Sequence, residues 1–355
     1  MHICKFFCNF AAILTTYMIC NDLHTALSAI TSRYSNDQIV VVKDASVSFE
    51  SAYPTLPLEC TETTKSLETV TRIWDFFFAH DLTRRGLVIC VGGGVLTDSA
   101  GFAAATYKRG VDYINIPTTL LAMIDASSGG KTGFNYSGLK NSIGVFAQPV
   151  ETLICPQWLT TLPTEQFLSG YAEMLKTGLL EKSLWNQLLQ YDLDTMPIEP
   201  LTPLIADCIA VKERIVASDP NEQGPRKALN LGHTFGHALE EQSLRSPLTV
   251  HRSPLSHGFA VLYGMICELY LSVTRLGCDK APLQQLTQLM LHYYGRPQCK
   301  CSDREALIRL MQQDKKNERA AQINCTLLSN IGEPAINQII TPSDASEAWD
   351  YLFSL

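Results

Sequence analysis

The stretch Leu87-Val88-Ile89-Cys90-Val91-Gly92-Gly93-Gly94-Val95-Leu96-Thr97-Asp98 decides the fold class. A short β-branched, apolar run reads as a buried strand, three glycines follow, and a helical stretch runs from Thr97 to Tyr107. Glycines let backbone N–H groups approach a phosphate closely, and a helix N-terminus adds positive potential. The run is not G-x-G-x-x-G, so taken alone it is equally a tight strand-to-helix turn. Working outward, Ile39-Val40-Val41-Val42 reads as another buried strand. Lys65 to His80 reads as a helix with Leu67, Val70, Ile73 and Trp74 at helical spacing, and Tyr113-Ile114-Asn115-Ile116 as a strand stopped by Pro117. Strand, helix, strand in this rhythm predicts parallel βαβ units.

Beyond Pro163 the character changes. Gly170 to Tyr191, Leu204 to Ser218, Ala228 to Gln242, Gly258 to Leu276, Pro282 to Tyr294 and Arg304 to Gln313 read as helices. Met196 to Pro203 reads as a loop, and Ser302-x-x-Glu305 as a capping box. The expected architecture is an α/β N-terminal domain with a parallel-sheet, Rossmann-like nucleotide-binding arrangement over residues 1–163. A mostly α-helical domain follows over residues 164–355, with the active site in the cleft between them.

The chain has 355 residues, 46% of them hydrophobic, enough for an ordinary globular core. Its net charge of −7, without a basic block, argues against a nucleic-acid partner. Twelve cysteines lie scattered, none in a C-x-x-C pair, which fits reduced thiols in a cytoplasmic protein rather than a disulfide framework. Phe6 to Cys20 is mostly apolar and faintly signal-like, but it lacks an A-x-A site and is interrupted by Asn9, Thr15 and Thr16. It is also short of the roughly 20 clean apolar residues of a membrane span. A buried first strand or helix is the simpler reading, with no membrane partner.

The chemistry-bearing residues cluster. Asp125-Ala126-Ser127-Ser128-Gly129-Gly130-Lys131 offers hydroxyls, glycines and a lysine that suit an anion or a ribose, although a polar surface loop has the same composition. Lys140-Asn141 follows nine residues on. Glu173 and Lys176 share a helix face, as a surface ion pair also would. Arg226, Asn230, His233 and His237 fall at intervals of four, three and four, so on one helix they form a single polar stripe among Leu229, Leu231, Phe235 and Leu239. Thr234 stands where a zinc peptidase needs Glu. His257 adds a third imidazole; with Glu173 these histidines make a candidate metal set with an open position.

Taken together, the motifs resemble the 3-dehydroquinate synthase family of the shikimate pathway. The matching elements are GGGVLTD (92–98), RG (109–110), PTTLLA (117–122), D-x-S-x-GGKTG (125–133), KN (140–141), TLP (161–163), YAEMLK (171–176), Lys212, R-x-x-x-N-x-GHTFGHA (226–238), HG (257–258) and DKK (314–316). The resemblance implies conversion of 3-deoxy-D-arabino-heptulosonate 7-phosphate to 3-dehydroquinate and phosphate. It implies NAD-mediated transient oxidation, phosphate elimination, reduction, ring opening and intramolecular aldol closure, with zinc or cobalt as the metal. It assigns the metal to Glu173, His233 and His257, and NAD to Asp44, Glu62, Lys65, Gly93, Gly94, Val95, Leu96, Thr97, Asp98, Thr118, Thr119, Lys131, Lys140, Trp158, Leu159, Thr160 and Thr161. It assigns a phosphorylated sugar acid to Arg109, Asp125, Lys131, Asn141, Lys176, Lys212, Arg226, Asn230, His237 and Lys315, with His237 assisting proton transfer, and it implies a homodimer.

The chain departs from the family pattern at Thr97, Ala126, Ser128, Leu139 and Phe259, the last standing where Glu usually follows His-Gly. A related sugar phosphate cyclase, or a metal- and NAD-dependent polyol dehydrogenase, would share the glycine turn and the metal set. A non-catalytic binding module with a structural metal would release no phosphate. The Lys212, Arg226, Asn230 and Asn141 set favours a substrate that carries a carboxylate.

Overall fold

In the computed structural model, residues 17–127, 129–137, 139–220, 222–245, 255–297, 303–313 and 322–355 are described. The N-terminal half contains β1 (Tyr17–Ile19), α1 (Leu23–Thr31), β2 (Ile39–Asp44), β3 (Thr55–Leu58), α2 (Leu67–Ala79), β4 (Leu87–Gly92), α3 (Gly94–Thr106) and β5 (Asp112–Pro117). A hairpin follows, β6 (Lys131–Tyr136) with β7 (Leu139–Phe146), and then β8 (Glu151–Ile154). Six strands form one sheet in the order β1-β8-β5-β4-β2-β3, and every neighbouring pair is parallel.

Burial on both faces explains the unbroken apolar strands. Val40, Val42, Val88 and Cys90 face the cluster that includes Val70, Ile73 and Phe77 of α2. Ile39, Val41, Leu87, Ile89 and Val91 face the opposite cluster with Ala26 and Ile30 of α1. Ser66 caps α2 by accepting from the Thr69 N–H at 3.4 Å. The apolar N-terminal run ends in an edge strand, β1, paired with β8.

The rest is largely helical: α4 (Thr164–Leu179), α5 (Lys182–Leu188), α6 (Ile198–Ser218), α7 (His233–Arg245), α8 (His257–Leu276), α9 (Ala281–Leu289), α10 (Arg304–Gln312) and α11 (Pro342–Ser354). A second hairpin, β9 (Ile323–Asn330) with β10 (Glu333–Ile340), sits among them. Its core reaches back across residue 163, because Leu120, Met123, Ile124, Ile154 and Leu159 belong to it. α8 is long and apolar enough to cross a membrane, but it is a core helix, buried along most of its length.

Several expectations need correction. Gly170 to Tyr191 is two helices, α4 and α5, rather than one. Met196 to Pro203 is not all loop: α6 starts at Ile198, with Pro200 in its first turn, where a missing backbone donor costs least, and Pro203 inside the helix. Asp303 stands at the N-cap of α10 and makes no side-chain capping bond; Ser302, the expected cap, lies outside the described residues. Among the described residues a capping box, Thr341 with Asp344, opens α11. The two hairpins give little signal in the sequence: β7 and β10 are mostly exposed, and β6 and β9 are buried without alternation.

Two glycines of α8 fix how closely the helices approach. A Cβ on Gly264 would overlap the Gly232 carbonyl before α7, and one on Gly258 would overlap the Ser169 backbone of α4. Both obstacles are backbone, which cannot rotate away. Gly264→Ala should therefore destabilise the fold by at least the about 1–3 kcal/mol typical of overpacking; a urea midpoint equal to wild type would contradict the close-packing account.

Candidate active site

The residues expected to hold a dinucleotide gather at the C-terminal ends of β2, β4 and β5, where open parallel sheets bind ligands. Gly92 abuts Asp44 at the end of β2, and its carbonyl accepts from the Thr118 N–H at 3.1 Å. Gly93 is the N-cap of α3 and makes no side-chain capping bond. A Cβ on Gly94 would stand 2.9 Å from Cβ of Ala126, so glycine lets Ala126 pack against the start of α3. The first-turn N–H groups there have no intrahelical acceptor, which suits a pyrophosphate. Val95 is half-buried, whereas Leu96 and Thr97 are buried in the first turn and would meet such a ligand only through backbone. Thr119 accepts from the Ala122 N–H at 3.2 Å and orders the turn leading to Asp125.

Lys65 is buried and donates to Asp98 and to Asn141, each at 2.5 Å. Burial raises the Asp98 carboxyl above its ordinary range, and Lys65 opposes that shift. Asn141, expected to meet the substrate, thus contacts Lys65 and lies beside Asp98, both expected to meet the dinucleotide. Glu62 accepts from Asn135 at 2.8 Å. Trp158, Leu159, Thr160 and Thr161 form a 3-10 turn before α4, with Leu159 in the helical core and both threonines exposed.

The metal candidates come from three helices. Glu173 projects from α4, His233 opens α7 and His257 opens α8, and their ligand atoms lie within 4.8 Å of one another. His233 Nε2 and His257 Nε2 stand 3.6 and 3.4 Å from the same oxygen, Glu173 Oε1. That oxygen is buried without a hydrogen-bond partner, as a ligand oxygen awaiting a cation would be. Burial drives His233 well below its ordinary pKa, Glu173 opposing, so it is a neutral donor. Burial alone would also lower His257, but Glu240 and Glu173 hold it up at about 10. One carboxylate and two imidazoles with an open position suit zinc or a similar divalent ion. Phe259, the departure beside His257, packs edge-on against Tyr294 at 4.8 Å and leaves the histidine in place.

The single polar helix stripe does not exist. Pro225–Asn230 is a 3-10 turn, and α7 begins only at His233. Between them Gly232 adopts φ +80° and donates to Glu268 Oε2 at 2.5 Å. A left-handed residue resets the helical phase, so Arg226 and Asn230 face a different region from the histidines. His237 does stay on the His233 face, its ring 5.3 Å from His233 and 6.1 Å from His257.

The cations form a second row. Asp125 receives the Lys212 ammonium directly and Lys176 at 3.6 Å; Lys176 also reaches Glu173 Oε2 at 2.5 Å. Burial would raise the Asp125 carboxyl, yet the two lysines hold it well below the carboxylate range. Burial lowers Lys212, with Asp125 opposing. Arg226 is buried and donates to the carbonyls of Pro220 at 2.8 Å and Gly129 at 3.4 Å. Lys131 is exposed and pairs with Glu222, which also accepts from Asn230 at 2.8 Å.

Arg109 is not brought to this cluster. It is exposed beyond the C-terminal end of α3, about 18 Å of helix from Gly94 at 1.5 Å per residue. Lys315 lies outside the described residues. Two carboxylates escaped the sequence reading. Glu240 lies seven residues after His233 on α7, a same-face spacing that could have flagged it. Glu222 sits in a loop at φ +57°, where no periodicity announces it.

The chain matches the family models described as 3-dehydroquinate synthase N-terminal, over residues 55–169, and 3-dehydroquinate synthase C-terminal, over residues 170–317. A 3-dehydroquinate synthase from Parabacteroides distasonis is 40% identical over 347 residues, covering 94% of this chain and 96% of that one. One from Pyrococcus furiosus is 40% identical over 252 residues, 71% of each chain. Among solved structures, 2-epi-5-epi-valiolone synthase from Streptomyces hygroscopicus, with NAD+ and Zn2+ bound, is 27% identical at a TM-score of 0.75, covering 96% of this chain and 97% of that one. A 2-deoxy-scyllo-inosose synthase complexed with carbaglucose-6-phosphate, NAD+ and Co2+ shares the fold at 22% identity and a TM-score of 0.79, covering 93% and 95%.

Asp125 is the hinge of the cation row, so Asp125→Asn, which leaves buried lysines short of a countercharge, should cost about 3–5 kcal/mol. A depressed carboxylate stabilises fully above its unfolded value of about 4 and loses that contribution as pH falls through the folded value. Urea midpoints should therefore drop on acidification more in wild type than in Asp125→Asn; parallel pH profiles would contradict the assignment.

Proposed function

Since the chain belongs to the 3-dehydroquinate synthase family, we propose that it converts 3-deoxy-D-arabino-heptulosonate 7-phosphate to 3-dehydroquinate and phosphate, acting as a carbon–oxygen lyase. One observation carries the reading: the Glu173, His233, His257 set adjoins the row Lys176, Asp125, Lys212, and Asp125 is next to Ala126, which packs over Gly94 at the mouth of α3. Candidate groups for a metal, an anion and a dinucleotide thus lie near one another, which supports this reading.

When bound, NAD supplies a reversible hydride acceptor and the divalent ion, zinc or cobalt, a Lewis acid at the reacting oxygen. The chain's own residues do the rest. Glu173, His233 and His257 would hold the ion. The first turn of α3 from Gly93 to Asp98, together with Asp44, Glu62, Lys65, Thr118, Thr119, Lys140 and the turn from Trp158 to Thr161, would hold the dinucleotide. Lys176, Lys212, Arg226, Asn230, Asn141 and Lys131 would take the substrate's phosphate and carboxylate; Lys131 and Asn230 would exchange Glu222 for the substrate anion. His237, a turn along from His233, is placed to hold or move the hydroxyl proton. The number of cations supports a substrate bearing a carboxylate as well as a phosphate. The unbridged thiols among the described residues support a cytoplasmic setting, and exposed Tyr136, Leu139, Ile143 and Phe146 on the β6–β7 hairpin support a covered face in a homodimer.

With the heptulosonate phosphate, zinc and substoichiometric NAD, the protein should release phosphate over many turnovers. Accumulation of NADH in step with product would instead indicate a dehydrogenase. Exhaustive chelation should abolish turnover, and added zinc or cobalt should restore it. Lys176→Ala should lower kcat/KM for the sugar phosphate by about 100-fold or more, the scale of a charged hydrogen bond lost at a buried site. NAD affinity, read by fluorescence titration, should stay within about twofold; equal loss of both would remove Lys176 from the substrate set.

A further inference from the structure

We propose that Glu240 is a positioning residue for His257, and that Lys140 ties it to the cofactor-side hairpin; this rests on the reading of His257 as a metal ligand. Glu240 lies on α7 and is buried. Its two carboxylate oxygens have different partners. Oε2 stands 3.3 Å from His257 Nδ1, and Oε1 accepts from Lys140 Nζ at 2.8 Å. The other face of the same imidazole, Nε2, points at Glu173 Oε1 at 3.4 Å. Donation from Nδ1–H to a carboxylate leaves the lone pair on Nε2, the atom that faces the metal position, and raises its basicity.

The two candidate imidazoles are oriented in different ways. His233 Nδ1 stands 3.1 Å from the Leu231 carbonyl, two residues away, so its orientation is set locally by backbone. His257 depends on a side chain from another helix. That side chain is in turn held by a lysine on β7, which also lies 3.8 Å from Glu62. A chain of contacts thus runs from Glu62 through Lys140 and Glu240 to His257 and Glu173, from the residues proposed for the dinucleotide to those proposed for the metal. Lys140 neutralises one side of Glu240 and keeps its carboxylate fixed, so the imidazole meets a directed acceptor rather than a rotating one.

The test is zinc affinity in the full chain without NAD or substrate, by competition with a chromophoric chelator. It is paired with the visible spectrum of the cobalt-loaded protein, which reports ligand geometry. Glu240→Ala should weaken zinc binding by about 10- to 100-fold and alter the cobalt bands, the scale for losing an outer partner of a ligand histidine. Glu240→Gln keeps an acceptor and should lose less, about three- to tenfold, and it carries the test if the alanine variant does not fold. Lys140→Ala should fall between wild type and Glu240→Ala. Zinc affinity within twofold of wild type in the folded Glu240 variants, with unchanged cobalt bands, overturns the positioning role, provided that His257→Ala loses zinc. If His257→Ala binds zinc as tightly as wild type, the metal set itself is wrong and the positioning role falls with it.

Discussion

Charge buried in the helical core is the constraint on which the rest depends. Glu173, Lys176 and Lys212 are nearly inaccessible, and an ionised group out of water needs a countercharge. The protein meets this need by alternating signs: Glu173 against Lys176, Lys176 and Lys212 against Asp125. Oε1 of Glu173 stands outside these lysine pairs, between two imidazoles. The same low-polarity surroundings that make pairing obligatory also make each charge strong toward an anionic ligand.

Such an arrangement requires helices that approach closely. α8 presents glycine where it crosses α4 and where it crosses the turn before α7. Backbone-to-backbone contact at these points brings the first residues of α7 and α8 to the middle of α4. His233 and His257 are each the first residue of their helix, and Glu173 is buried in mid-helix. The metal set is thus a product of packing at two glycines as much as of the ligands themselves. The glycine turn has a different logic: strands buried on both faces end together, and glycines let the start of α3 pack closely beside Asp44, Thr118 and Thr119.

The two halves communicate through the β6–β7 hairpin. Lys65 binds Asn141 from one side of it, Lys140 reaches Glu240 on α7, and Lys131 reaches Glu222 in the loop before Arg226. An element that reads in sequence as a polar, glycine-bearing stretch is therefore the bridge between the nucleotide turn and the helical core.

The sequence by itself determined the parallel sheet, the glycine turn, the helical second half and the residue types of the site. Two-sided burial writes itself as continuous apolar strands, and a candidate set with three imidazoles and several cations is conspicuous in an acidic chain. Tertiary structure alone decided which of those residues meet. Periodicity holds only while the backbone keeps one conformation; Gly232 at φ +80° breaks it, so a stripe drawn from Arg226 to His237 divides into a cation row and a metal face. Glu240 and Lys140 are a hundred residues apart, and no local spacing links them; only the tertiary fold brings them within 2.8 Å. Glu222 finds Lys131 and Asn230 from an irregular loop, and Arg109 stays at the far end of α3. Local pattern encodes which face is buried, but partners across a core are selected by shape and charge once the helices have docked.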